Sequence, residues 1–178
     1  MRVAFLWLAL LALASASPAA AAIRLFSYDP ADAATRASSG ALTFQFRQTL
    51  TFIRVQNVRA TEGEAKAELR PADQGSLGPG GLGRVIGDAP ERDLYEVLPT
   101  DEGDALTKAL CPGSRHAWMA FGHLRANANL RVFVLGDNPK TGQARRCQTL
   151  AFSFHGEWKL HDDRPFDQRL VDRPLVPH

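Results

Sequence analysis

The chain has 178 residues, of which 45% are hydrophobic and 22% are charged, and it carries 21 Lys and Arg against 19 Asp and Glu. This length suits one globular domain with its own core. The balanced charge argues against a nucleic-acid partner, because proteins that bind the phosphate backbone present a concentrated basic face.

The first 22 residues have the pattern of a secretory signal peptide. Arg2 gives a positive start, residues 3–14 are an unbroken apolar run, and residues 15–22 are almost all small. The apolar run is shorter than the ~20 residues that a membrane-spanning helix needs. We therefore predict cleavage between Ala22 and Ile23, after an Ala-x-Ala pattern.

Two alternatives to this cleavage remain open: cleavage after Ala14-Ser15-Ala16, and an uncleaved apolar anchor. Export would place the chain in the periplasm or outside the cell, since 17 Arg against 4 Lys, with abundant Ala and Gly, is typical of GC-rich bacterial genomes. The membrane would then be contacted only through the signal peptide before cleavage. Loss of Arg2 leaves 20 basic and 19 acidic residues in the mature chain.

The predicted export bears on the state of the two cysteines, Cys111 and Cys147. An even number of cysteines in an oxidising compartment favours a disulfide over free thiols or a metal site. A catalytic thiol would need an activating neighbour or a Cys-x-x-Cys pair, and the spacing provides neither. We predict a structural Cys111–Cys147 bond.

The N-terminal half of the mature chain predicts strands. Residues 23–28 form the first one, and a polar connection of small residues follows over 29–40. From Leu42 onward apolar and polar residues alternate, which is the pattern of a strand with one buried face. The phase changes before Ile53, which predicts one long bent strand with Ile53 turned inward by a bulge or tight corner near 52–54.

The middle of the chain is less regular. Residues 61–72 alternate charged with small side chains, as in an exposed edge strand, and a short helix is the competing interpretation. Six of the thirteen residues from 75 to 87 are glycine, which predicts a mobile Gly-rich surface loop. Residues 94–98 predict another strand.

One helix is predicted over 101–110. Thr100 can cap its start, acidic residues occupy the first turn, and Leu106 and Leu110 share one face. Pro112-Gly113 would end it.

Three strands are predicted after the helix, over 116–124, 130–135 and 147–158, joined by turn-like Asn, Gly and Pro clusters. Residues 161–178 are rich in Asp, Arg and Pro, which predicts a disordered tail. The expected fold is therefore mainly β: a single domain over 23–160, forming a small antiparallel sandwich or barrel of about six or seven strands with one short helix.

Candidate chemical motifs are weak. Residues 78–83 satisfy G-x-G-x-x-G, but the segment before them is polar and the segment after them is turn-like, so no dinucleotide site is expected. His155 and Glu157 have the same strand parity and would share a face, where a metal or acid-base site could be built if His123 came near. His116 and His123 fall on opposite faces.

Nucleophilic catalysis has no local signature, although Ser114 and Ser153 can each be paired on paper with a histidine and an acid. We predict no catalytic residue, no metal ligand and no cofactor. The aromatic residues are expected to pack a core rather than to line a hollow barrel.

Three functions follow as hypotheses. The first is an exported, non-enzymatic β-domain that binds a protein or an envelope component through its Gly-rich loop or tail. The alternatives are a barrel that binds a small molecule or lipid, and a small periplasmic hydrolase. A filled core would favour the first, an apolar cavity the second, and a cleft joining His155 to Glu157 and a nucleophile the third.

Overall fold

The computed structural model describes residues 22–48 and 53–160. The predicted signal peptide, apart from its last residue, and the predicted disordered tail lie outside these residues. In the described ranges the strands are β1 (Ala22–Pro30), β2 (Leu42–Gln48), β3 (Ile53–Ala60), β4 (Lys66–Pro71), β5 (Asp93–Val97), β6 (Ala117–Phe121), β7 (Leu130–Asp137) and β8 (Ala144–Leu160). The helices there are α1 (Ala33–Ser38), α2 (Gly81–Ile86) and α3 (Asp101–Leu110).

The strands close into an antiparallel barrel in which each strand pairs with the next along the chain and β8 returns to pair with β1. The predicted mainly β, antiparallel fold is confirmed. Eight strands form it instead of six or seven, and the described residues contain three α-helices instead of one. Closure leaves no sheet edge, so β4 is a strand, as expected, but not an edge strand.

The prediction of one long bent strand from residue 42 is wrong. β2 and β3 are two strands of a hairpin, in which Gln48 pairs with Ile53. Ile53 is 44% exposed, so it does not turn inward. A register shift does occur, but opposite Gln45 and Phe46, where Val55 and Asn57 are consecutive partners and Gln56 is the extra residue.

The interior of the barrel is filled by apolar side chains. Phe44, Phe46, Met119 and Val132 have no measurable exposure, so no water-sized space adjoins them. Phe26 packs edge-on against Phe46 with ring centroids 4.7 Å apart. The residues that share this buried cluster come from every strand and from α3. This packing agrees with the expectation of a core rather than a hollow barrel.

A second buried cluster lies on the outer face of β5, β6 and β7. Leu94, Trp118 and Phe133 point outward there and are covered by Leu82 and Ile86 of α2. The prediction of a mobile Gly-rich loop is therefore wrong for part of the segment, because residues 74–77 form a 3₁₀ turn and 81–86 form α2. The prediction of turns after the glycines is wrong for residues 84–86, which belong to α2.

Helix α3 lies where the sequence predicts it. The Thr100 hydroxyl accepts a hydrogen bond from the Gly103 N–H at 3.1 Å, and Leu106 and Leu110 are buried in the barrel interior. Its last residue leads into Cys111, which lies at disulfide distance from Cys147 on β8, as predicted, with Cα atoms 5.3 Å apart. In the described part of the chain, no helix is long and apolar enough to cross a membrane.

Candidate functional site

An open pocket of about 390 Å³ lies at one end of the barrel, which we call the pocket end. This end carries the connections from β4 to β5 and from β6 to β7. Its polar lining residues are Arg92, Asp93, His123, Arg125 and Asn129. The cavity volume falls in the range of sites that hold small organic ligands, about 300–1,000 Å³.

Strand pairing positions the two halves of the pocket. Asp93 starts β5 and pairs with Phe121, the last residue of β6, so the chain beyond Phe121 passes directly over Asp93. His123 follows two residues later, and its Nδ1 lies 2.7 Å from an Asp93 carboxylate oxygen. Since a carboxylate accepts, Nδ1 carries the proton in this pair. The other ring nitrogen, Nε2, is left for a ligand, and the His123 side chain is 76% exposed.

Two arginines bring positive charge to the pocket. Arg92 donates one hydrogen bond to the Glu91 carbonyl oxygen, at 3.2 Å, and is otherwise exposed. Arg125 is exposed and makes no hydrogen bond or ion pair with any described residue. Among the described lining residues Asp93 is the single carboxylate, so these residues carry a net positive charge even when His123 is neutral.

A bidentate ion pair holds the chain next to the pocket residues Pro90 and Arg92. Arg131 at the start of β7 donates to both carboxylate oxygens of Glu91, from Nε at 2.7 Å and from a terminal nitrogen at 3.1 Å. Burial opposes ionisation of Glu91, but the hydrogen bond from Arg131, the Glu91 backbone N–H and the charges of Arg131 and Arg92 outweigh it. The pKa of Glu91 is therefore lowered. The pair ties the end of the long β4–β5 connection to β7.

The strands that carry Asp93 and lead to His123 continue from the pocket into the barrel core. Tyr95, two residues after Asp93 on the same face of β5, stacks on Phe121 with ring centroids 5.1 Å apart. Burial raises the pKa of Tyr95 against the opposing hydrogen bond with the Val55 backbone, so its hydroxyl stays protonated. A ligand in the pocket would rest outside this stacked pair rather than inside the barrel.

Another polar cluster closes the pocket end of β1, β2 and β8. The Arg24 guanidinium donates to Glu157 and to Gln48, with its Nε 2.7 Å from a Glu157 oxygen. It also lies over the rings of Phe26 and Phe46, at 5.6 and 5.8 Å from their centroids. These contacts engage each of the three guanidinium nitrogens of Arg24 and place it over the aromatic interior, so this cluster is structural.

The predicted His155–Glu157 face is wrong. A register shift between β1 and β8 makes His155 the extra residue, because Phe154 pairs with Tyr28 and Gly156 with Ser27. His155 consequently turns to Asp29, with Nδ1 2.8 Å from its carboxylate, whereas Glu157 pairs with Arg24. His123 belongs to the pocket and does not join either of them.

The remaining candidate residues have structural partners or stand alone. The Ser114 hydroxyl donates to the Asp137 carbonyl oxygen at 2.8 Å and contacts Cys111. Ser153 is exposed, and His116 lies 6.2 Å from the Trp118 ring, centroid to centroid. Among the described residues no group of three or more His, Cys, Asp or Glu could hold a metal ion.

The fold and the site together define a closed antiparallel barrel with a filled interior and an external, positively charged pocket. No protein-family model, curated protein or solved structure matches this chain.

Sequence reasoning found one pocket residue, His123, and assigned it to the wrong neighbours. Arg92, Asp93, Arg125 and Asn129 were missed because they come from two connections about 30 residues apart in the chain. The signal that was present is local: three charged residues, Glu91, Arg92 and Asp93, stand immediately before a strand. Only the β5–β6 pairing shows that Asp93 lies beside the chain that carries His123.

Proposed function

We propose that this chain is an exported, non-enzymatic β-barrel domain that binds a protein or an envelope component at the pocket end. The observation that carries the proposal is the contrast between the two possible binding places. The barrel interior is packed with side chains, whereas the pocket end presents exposed polar groups, among them Arg125, which has no hydrogen-bond or ion-pair partner among the described residues.

The packed interior favours this function over a barrel that binds a lipid or other apolar ligand. Such a barrel needs an internal cavity, and inward positions would have to be small or mobile. Here Tyr28, Phe44 and Phe152 are almost completely buried, and Tyr28 and Phe44 contact each other edge-on with centroids 6.1 Å apart.

The arrangement of histidines gives less support to a hydrolase. The cleft that this function required would join His155 to Glu157, and the β-bulge separates them. The His123–Asp93 pair resembles the base and orienting acid of a hydrolase, but no Ser, Thr or Cys is found among the described residues that line its pocket.

Export is supported by two features. One is the signal-peptide pattern of the first 22 residues. The other is the Cys111–Cys147 pair at disulfide distance, since such bonds persist in oxidising compartments. Cleavage before Ile23 would leave almost the whole of β1 in place, because that strand begins at Ala22.

Native mass spectrometry of the protein purified from its own host tests export and retained ligands. We expect a mass that begins at Ile23, a gain of about two daltons on reduction of one disulfide, and no bound lipid. An intact N-terminus would contradict export, and a co-purified apolar ligand would favour the lipid-binding alternative.

Photo-crosslinking in intact cells tests the binding surface. A crosslinking residue at exposed Ala126, in the β6–β7 connection, should capture a defined envelope partner. The matched control is exposed Thr141, in the β7–β8 turn at the other end of the barrel. Equal capture from both positions, or capture from Thr141 alone, would contradict binding at the pocket end.

A further inference from the structure

We infer that the pocket recognises an oxyanion, a phosphate or carboxylate group carried by a small organic ligand or by a larger envelope component. This inference rests on the proposed function and adds the chemistry of what is bound. It follows from the composition of the pocket, the geometry of His123 and the absence of a partner for Arg125 among the described residues.

The charge of the pocket selects an anion. Arg92 and Arg125 outnumber Asp93, and the Asp93 carboxylate is engaged by His123 Nδ1. A guanidinium presents a planar fork of N–H donors that matches the two oxygens of a carboxylate or phosphate. The Asn129 side chain can add a neutral hydrogen bond.

Part of the pocket is held in position before a ligand binds. The Glu91–Arg131 ion pair holds the chain that carries Arg92, and the Arg131 guanidinium lies 5.3 Å from the Phe133 ring centroid. Because Glu91 satisfies Arg131 through two hydrogen bonds, its charge is largely neutralised and does not repel an anion in the pocket. A site held in this way loses less conformational entropy on binding.

His123 makes binding depend on pH. Asp93 holds the Nδ1–H, so the neutral ring has a lone pair at Nε2. This lone pair cannot donate to an oxyanion and repels it. Protonation converts Nε2 into a donor and adds a positive charge. In the described ranges, the charged groups around His123 are Asp93 and Arg92 on the β5 side, Arg125 after β6, and the Glu91–Arg131 pair beside β7. Protonation of His123 should therefore tighten anion binding.

Calorimetry and amide NMR with three probes test the inference. Inorganic sulfate, whose charge is constant from about pH 5.5 to 8, reports the dependence on His123, and glycerol 3-phosphate at neutral pH reports a small organic ligand. Vesicles of phosphatidylcholine with or without phosphatidylglycerol report a lipid headgroup. We expect saturable binding with shifts confined to residues near 92, 123 and 125.

Variants assign the binding to this pocket. Arg125→Gln should weaken binding about tenfold, as for loss of one charge-assisted hydrogen-bond donor group. The matched control Arg36→Gln removes the same charge from exposed α1 near the other end of the barrel and should change nothing. His123→Gln places a permanent amide donor near Nε2 and should abolish the pH dependence of sulfate binding.

The binding measurements distinguish a soluble ligand from a lipid headgroup. Arg125-dependent binding of glycerol 3-phosphate supports a soluble ligand, and Arg125-dependent binding only to phosphatidylglycerol vesicles supports a headgroup. Equal weakening by Arg36→Gln, or no saturable binding by any probe, overturns the inference. If crosslinking from Ala126 still captures a partner in that case, the proposed function stands without an oxyanion site.

Discussion

Asp137, at the end of β7, shows how one buried carboxylate can organise a connection. One of its carboxylate oxygens accepts hydrogen bonds from the backbone N–H groups of Arg115 and His116, at 2.8 and 2.7 Å. Both residues lie in the segment that leads from α3 into β6. The side chain therefore fixes the entry to β6.

The pKa of Asp137 links this contact to pH. Burial opposes its ionisation, but the hydrogen bonds from the His116 and Arg115 N–H groups outweigh burial, and the pKa is lowered. A carboxyl group with a lowered pKa in the folded state contributes stability above its unfolded value, about 4. That contribution is lost as pH falls from about 4 through the folded value.

We predict that Asp137→Ala lowers the free energy of unfolding by about 2 kcal/mol at pH 7, because two N–H groups lose their acceptor. Asp137→Asn keeps an oxygen acceptor but not the charge, so it should cost about 1 kcal/mol at pH 7 and less in acid. Urea unfolding at several pH values measures both. A constant difference between wild type and Asp137→Asn down to about pH 2.5 would contradict the linkage.

Sequence reasoning at the residue scale succeeds where a side chain acts within its own element. Thr100 was predicted as a helix cap because its partner, Gly103, lies three residues away. Sequence reasoning failed for His155 and Glu157, because the prediction that they share a face assumed a regular strand. A β-bulge inserts one residue, reverses the faces beyond it, and has no sequence signature in residues 152–158.

At the scale of elements, the Gly-rich segment is the clearest correction. Glycine content predicts flexibility, but the apolar residues Leu77, Leu82 and Ile86 are spaced to face one side and are at most 7% exposed. Arg84 reinforces the segment by donating to the carbonyl oxygens of Leu77 and Ala144, both at 3.1 Å. Burial of the outer faces of β5–β7 requires this cover, which composition alone does not reveal.

A pair of substitutions distinguishes a packed helix from a loop. Leu82→Ala should lower the free energy of unfolding by about 2–4 kcal/mol, because the side chain is 1% exposed and leaves a cavity. Gly83→Ala, at an exposed helical position where an added Cβ meets nothing within 4 Å, should raise it by about 0.5–1 kcal/mol. Thermal or urea unfolding measures both. Near wild-type stability for Leu82→Ala would indicate a loop that does not pack.

The short helix α1 was not predicted, because it too depends on contacts that the local sequence does not show. Helix α1 has six residues, begins at Ala33 and is capped by Asp32, whose carboxylate accepts from the Thr35 N–H at 2.7 Å. Helices of this length gain little from propensity and depend on tertiary contacts. The Thr35 hydroxyl supplies one, since it accepts a hydrogen bond from the Ala151 N–H of β8 at 3.0 Å.

At the scale of the whole molecule, closure of the barrel depends on β8. Residues 144–152 of this strand pair with β7, and residues 152–160 pair with β1. The alternation in residues 147–158 predicted a strand, but its two partners depend on contacts across almost the full length of the chain. The choice between sandwich and barrel was therefore not available from local pattern.

The disulfide connects α3 to this closing strand. Cys111 is completely buried, and its sulfur approaches Gly136 so closely that a Cβ there would lie 2.3 Å from it. Glycine at position 136 thus lets β7 pass directly beneath the bond. The bond joins residues 36 apart, and the loop-entropy model assigns about 4 kcal/mol to a closed loop of that length.

We predict that the double variant Cys111→Ala/Cys147→Ala unfolds with a free energy about 3–4 kcal/mol below that of the oxidised protein. Reductant should lower the stability of the wild type by a similar amount and leave the double variant unchanged, which controls for other effects of the reagent. Because the barrel is closed by its eight strands, and the bond adds only a link between α3 and β8, the reduced protein should keep its β-sheet circular dichroism at low temperature. Loss of that signal on reduction would show that the strands alone do not hold the barrel closed, whereas equal unfolding midpoints with and without reductant would show that the bond does not stabilise it.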